Sequence, residues 1–307
     1  MTLATPTMYF ADHSRGRPFA KDPAVAWFGG RYLLYYSLPP YGDGRQPDGW
    51  SIGIAESHDL DHWQPIGAIS TEHPYEQRGF CAPGVLIRAG VVHLFYQTYG
   101  NGRHDSICHA TSHDGITFQR NPTNPIFRPT GEWNCGRAID ADVVLFGDRA
   151  LLYYATRDPE MRIQMLGVAA APATSEFRRE DWSQLGDGPI LAPTLPWEQE
   201  CIEAPALYQH NGILFMFYGG AYNNCPQQIG CATSHDGITW QRLSDQPFLS
   251  NGAPGSWNAS ESGHPFIFCD RNGRTHLFFQ GNHDQGASWH LSRIEVHWQD
   301  TGPHITP

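Results

Sequence analysis

The sequence predicts an all-β chain folded as a five-bladed β-propeller with four antiparallel strands per blade. Three observations predict it. An aromatic strand recurs five times, at residues 33–37 (LLYYS), 93–97 (HLFYQ), 151–155 (LLYYA), 215–219 (FMFYG) and 276–280 (HLFFQ). The spacing between copies, about 45 to 60 residues, suits a propeller or solenoid. Helical 3.6-residue periodicity is missing from a chain that carries 24 Pro and 32 Gly, and short apolar runs bounded by Gly, Asp, Asn and Pro are strand signals. Five copies fill residues 1–307 as one unit. A β-sandwich would not call for five similar copies.

Each blade can be assembled in order. About a dozen residues before each aromatic strand lies a short segment leading into an apolar strand, the expected innermost one. These segments read Lys21-Asp22-Pro23-Ala24-Val25, Cys81-Ala82-Pro83-Gly84-Val85, Ile139-Asp140-Ala141-Asp142-Val143, Glu203-Ala204-Pro205-Ala206-Leu207 and Gly263-His264-Pro265-Phe266-Ile267. The aromatic strand is second. The third has one small-residue face, as in residues 52–57 (IGIAES), 107–112 (ICHATS) and 229–234 (IGCATS), with residues 166–172 (LGVAAAP) in copy three. Alternation of Ala with apolar neighbours fits a strand. A turn follows in copies one, two and four, for example Ser112-His113-Asp114-Gly115. There Ser and Asp bond nearby N–H groups and Gly accepts positive φ. Trp63, Phe118 or Trp240 then opens the outer strand.

The aligned copies differ by acids. Asp22, Ala82, Asp140 and Ala204 are equivalent, Glu203 stands one place earlier opposite Cys81, and His264 is the counterpart in copy five. Packing does not explain a carboxylate that appears in some copies only. In a propeller the first strands line the axis, so Asp22, Asp140 and Glu203 should converge at one end of a funnel. Clustered carboxylates raise at least one pKa, which suits acid/base chemistry. Each acid alone also has a structural reading, since Asp-Pro commonly opens a turn. Asp142 shares a strand face with Asp140 and competes with it as the middle acid. Arg137, Glu261 and Asn282 are candidate sugar contacts beside the expected aperture. His264 is a candidate for a substrate hydrogen bond or a cation in the channel.

A net charge of −11 argues against nucleic acid and anionic membranes as partners. No apolar run is long enough to span a bilayer, and residues 1–19 lack the pattern of a secretory signal. Seven cysteines, an odd number without a CxxC pair, suggest reduced thiols and a cytoplasmic location. Most aromatics should pack blade on blade, leaving some loop Trp to stack on a ligand.

At these motifs the chain resembles the five-bladed propeller glycosidases, chiefly glycoside hydrolase family 43 and its relative family 117, with family 32 more distant. The resemblance runs through nearly the whole chain. It implies that Asp22, in KDPAV, is a general base acting on water. Glu203, in IEAPAL, would be the general acid, and Asp140, in AIDADVVLF, its orienting partner. Ala141 departs from the family's Ile-Asp-Pro, which keeps Asp142 in play. The Asn-Asp-Pro-Asn-Gly and Glu-Cys-Pro motifs of family 32 are not matched. The implied activity is inverting, exo-acting hydrolysis of short oligosaccharides. Arabinofuranose, xylose, galactofuranose, fructofuranose and anhydrogalactose all remain open. No cofactor is required, and a structural calcium ion near His264 is a further implication. Two rivals stand beside this reading. One is a five-bladed glycoside phosphorylase, with Arg15, Arg17, Lys21 and Arg137 offering a phosphate pocket. The other is a sugar-binding propeller without catalysis.

Overall fold

A computed structural model describes residues 5–300 and 302–306. It contains five sheets, each of four antiparallel strands in simple up-and-down order. Blade 1 comprises Lys21–Phe28, Arg31–Leu38, Ser51–Ser57 and Gln64–Ile69. Blade 2 is Phe80–Arg88, Val91–Thr98, Ile107–Ser112 and Gln119–Arg120. Blade 3 is Ile139–Phe146, Arg149–Arg157, Gln164–Pro172 and Ser183–Gln184. Blade 4 is Ile202–His210, Ile213–Gly220, Gln228–Ser234 and Gln241–Arg242. Blade 5 is Glu261–Cys269, Thr275–Asn282, His290–Gln299 and Gly302–Ile305. Each innermost strand packs on the next, and that of blade 5 closes on that of blade 1. Among the described residues the only helical turns are three short 3₁₀ segments, and none could cross a membrane.

Packing follows the repeat. The aromatic strands are buried along most of their length, with Tyr35, Tyr36, Tyr96, Tyr153, Tyr154 and Tyr218 among the largest enclosed side chains. All seven cysteines are free thiols. The Ser-His-Asp-Gly turns are structural: Asp114 Oδ1 accepts the Ile116 and Thr117 N–H groups, and Asp236 Oδ1 those of Ile238 and Thr239.

Ring closure uses the segment before blade 1. In blades 2, 3 and 4 a returning loop bridges the start of the third strand, as Ile107–Phe127, Leu166–Leu191 and Ile229–Leu249. In blade 5 Phe10 takes that place, exchanging both main-chain hydrogen bonds with Leu291 at 2.9 and 2.8 Å.

A second repeated device ties loops to blades. Tyr96 donates to Glu76 at 2.7 Å while Arg120 pairs with the same carboxylate at 2.7 Å. Tyr218, Glu198 and Arg242 repeat this at 2.8 Å. Tyr36 uses Asp12 as its acceptor. The equivalent Tyr154 hydroxyl is buried without a partner. Removing one member of a buried charged pair costs roughly 3–5 kcal/mol, whereas deleting an unpaired hydroxyl costs little. Glu198→Ala should therefore lower the denaturant midpoint strongly and Tyr154→Phe should not. Similar losses in the two variants would show that these tyrosines work through packing alone.

Candidate active site

The five inner strands share one irregularity. Asp22, Ala82, Asp140, Ala204 and His264 all have positive φ, between 44° and 53°. Each lies within a bulge, where the pairing with the second strand slips. The preceding residues all keep register, as Lys21–Ser37, Cys81–Gln97, Ile139–Ala155, Glu203–Gly219 and Gly263–Gln280. The left-handed conformation is unfavourable for residues with a Cβ. Four of the five are secured by a side chain of the preceding blade that accepts the bulged N–H. Gln280 serves Asp22 at 3.0 Å, Ser37 serves Ala82 at 2.8 Å, Gln97 serves Asp140 at 2.6 Å and Gln227 serves His264 at 3.0 Å. The bulge turns side chains of successive residues toward one funnel.

That funnel is a cavity of about 500 Å³, lined by one residue from each blade among others: Asp22, Cys81, Asp140, Glu203 and His264. Asp22 and Glu203 thus reach one chamber from blades that are not neighbours. His264 Nδ1 lies 3.1 Å from Asp22 Oδ1. Burial pushes His264 down, against the pull of Asp22, so a neutral imidazole donating from Nδ1 fits this contact. Glu203 is clamped on both oxygens. Gln227 donates to Oε1 at 2.7 Å, Gln164 donates to Oε2, and Arg157 in turn orients Gln164 at 2.8 Å. Gln227 fits because Gly263 has no side chain; a Cβ there would overlap its amide oxygen. Burial pushes Asp140 well above the ordinary carboxylate range, aided by the nearby Glu203 and Asp22 charges.

Arg137 lines the cavity and approaches Asp105 at 3.4 Å. The structure does not bring Asp142, Glu261 or Asn282 to the cavity wall. Asp142 accepts the N–H groups of Val143 and Leu207, pinning blade 3 to blade 4. Asp140 and Asp142 share a strand, but the bulge separates their directions. Glu261 accepts from Gln280, Asn223 and Asn224, and Asn282 holds Asn224 and Gly286. Both stand behind the wall and support residues that line it. Burial raises Glu261 to about 7 despite the Lys21 charge.

Calcium takes six to eight oxygen ligands. Among the described residues no group of three or more His, Cys, Asp or Glu side chains is arranged to hold a metal. His264 offers one ring nitrogen beyond its contact with Asp22, and both Asp142 oxygens are engaged. Protein groups here do not make a calcium cage, and no chemical step below runs through one.

Sequence reasoning missed Gln164, Gln227, Trp50, Tyr99, Tyr222 and Trp289. A signal was present. Two residues before the third-strand landmarks of copies one to four stand Trp50, Asp105, Gln164 and Gln227, and Trp289 stands likewise before Leu291, the blade 5 partner of Phe10. Trp50, Gln164 and Trp289 line the cavity, while Asp105 and Gln227 hold Arg137 and Glu203. This second column of differing residues marks the same aperture as the first.

The sequence model of the family described as Glycosyl hydrolases family 43 matches residues 16–302. Raffinose invertase of Escherichia coli is 33% identical over 112 residues, which cover 32% of this chain and 22% of that relative. Among solved structures, a thermostable family-43 glycoside hydrolase superposes with a TM-score of 0.73 at 20% identity, covering 94% of this chain and 93% of the other. The Bombyx mori GH32 beta-fructofuranosidase BmSUC1 gives 0.72 at 15% identity over 99% of this chain and 65% of its own. At such identities the superpositions speak to fold alone.

An acid held neutral in the folded state and ionised when unfolded makes the fold lose stability as pH rises from the ordinary value, about 4, toward the raised one. Asp140→Asn imitates the protonated form. It is expected to raise the melting temperature at pH 8 and leave it nearly unchanged at pH 4. A lower melting temperature at both would mean that Asp140 is ionised in the native protein.

Proposed function

This chain belongs to Glycosyl hydrolases family 43, a family of glycosidases, and we propose that it cleaves terminal sugars from short oligosaccharides with inversion of configuration. The observation that carries the proposal is that Asp22 and Glu203 face one cavity from blades 1 and 4. Hydrolysis needs a proton donor at the leaving oxygen and a base on water. Asp22 is the base. One of its oxygens faces His264 and leaves the other for the attacking water. Glu203 is the acid, and its two amide donors fix its rotamer beside the scissile bond. Asp140, close enough for its proton affinity to feel Glu203, positions that acid and tunes it. Arg137 and Tyr222 belong to the sugar-contacting wall. Free thiols fit a cytoplasmic protein acting on imported fragments.

Two measurements test this. Glu203→Gln should abolish turnover of substrates with poor leaving groups. It should spare activated aryl glycosides more, because these need little protonation. Equal losses on both kinds would remove Glu203 from the acid role. Proton NMR of the first-formed sugar should show the inverted anomer, since inverting carboxyls stand roughly 6.5–9.5 Å apart, with water between, against about 5–5.5 Å for direct attack. A retained anomer, or a glycosyl ester on Asp22, would replace the water mechanism with a covalent one.

A further inference from the structure

The chain holds 20 Lys and Arg, of which Lys21 is the single lysine. That lysine lines the cavity, and so do Arg17, Arg137 and Arg157; Arg17 is engaged with the Ala287 carbonyl and the Phe19 ring. In a protein of net charge −11 the cavity thus sets cations beside its carboxylates. Their donors are not used up. Lys21 Nζ donates to Asn223 Oδ1 at 2.7 Å and sits 4.4 Å from the centre of the Trp289 ring, leaving N–H groups toward the chamber. Arg137 has one long contact, from Nε to Asp105 at 3.4 Å. Arg157 uses Nε on Gln164 and Nη1 on the Met161 carbonyl, with Nη2 remaining.

These groups share the cavity wall with the carboxylates. The Tyr99 hydroxyl feels both Lys21 and Arg137, and the Tyr222 hydroxyl both Arg157 and Arg137. Lys21, Arg137, Arg157 and both tyrosines line the same cavity. Beside them burial, aided by the Glu203 and Asp22 charges, pushes Asp140 well above the ordinary carboxylate range. Burial opposes the Lys21 charge, yet Asp22, Glu261 and Glu203 outweigh it and push the ammonium up, so it stays charged.

We propose that the set of Lys21, Arg137 and Arg157 binds an oxyanion carried into the cavity, and that the sugar substrate is an acidic one whose carboxylate occupies it. The inference rests on the glycosidase reading of the same cavity and adds the charge class of its substrate. Guanidinium forks suit planar carboxylates, and a desolvated site strengthens each charge-assisted bond. Inorganic phosphate offers the same chemistry from another source, and would then be a co-substrate accepting the glycosyl group.

A single lysine makes the test clean. Reductive methylation followed by peptide mass spectrometry reads Lys21 alone among side-chain amines. D-glucuronate, sulfate or phosphate should slow its modification saturably, while D-glucose, or chloride at matched ionic strength, should not. Calorimetric titration with glucuronate and glucose asks the same question without chemistry on the amine. Arg157→Gln and Arg137→Gln should each weaken glucuronate binding about tenfold or more, as expected for one charge-assisted hydrogen bond. Protection by chloride or glucose equal to that by glucuronate, or glucuronate binding unchanged in both variants, would overturn the proposal. Turnover of an aryl uronide against its neutral parent, with and without phosphate, then identifies the source. Uronide preference without phosphate supports the substrate carboxylate. Phosphate-dependent release of a glycosyl phosphate keeps the oxyanion site but overturns the acidic sugar. If no aryl glycoside of either kind is cleaved, hydrolysis fails as a reading while the protection assay still decides the oxyanion site.

Discussion

Everything at the mouth of this propeller depends on one backbone constraint, the left-handed bulge repeated in all five inner strands. An unbroken strand would send successive side chains to opposite faces. The bulge breaks that alternation, so Glu203 and Asp140 reach one chamber although they occupy different columns of the repeat. The cost of a left-handed residue with a side chain is of order 1–2 kcal/mol. It is offset by a buried hydrogen bond from the preceding blade in four of the five cases. Those bonds run from blade to blade, so the conformation that aims the acids also fastens the ring.

The same geometry separates two acids that look alike in sequence. Asp140 lies on the bulge and faces the chamber; Asp142 lies beyond it and accepts two main-chain N–H groups. Burial raises both, but for Asp140 the neighbouring carboxylates add to the shift, whereas for Asp142, at about 6, the N–H donors oppose it. One carboxyl is placed among like charges and can answer to them. The other is satisfied by backbone and answers to nothing in the chamber.

Blade count, strand order and the convergence of Asp22, Asp140 and Glu203 were legible because repetition acts as an internal control. Positions that must pack stay alike in five copies, and the exceptions stand out. The bulge was not legible, since Asp and Ala carry no sign of positive φ and the following proline, present in four copies, reads equally as a turn. The roles of Glu261 and Asn282 were not legible either. They lie on inner and second strands near the aperture, but side-chain direction at a strand end depends on register, and register sets them behind the wall. The glutamine clamp on Glu203 was hidden for another reason. Gln164 and Gln227 look like ordinary strand-edge residues until the third-strand landmarks are aligned.

The clamp and the cavity cations bear on one physical problem, which is how a carboxyl is oriented beside fixed charges. Glu203 accepts neutral amide hydrogens and not a guanidinium; Arg157 reaches it only through Gln164. Interposing an amide keeps the orientation and moves the positive charge one residue away. At Asp22 the arrangement differs. Its neighbours are a neutral imidazole and the lysine that precedes it in the chain. The two carboxyls are thus furnished differently, one held by neutral amides, the other set beside an imidazole and a lysine. Because the difference lies in partners supplied by blades 3, 4 and 5, the asymmetry of the chemistry comes from departures within a symmetric ring.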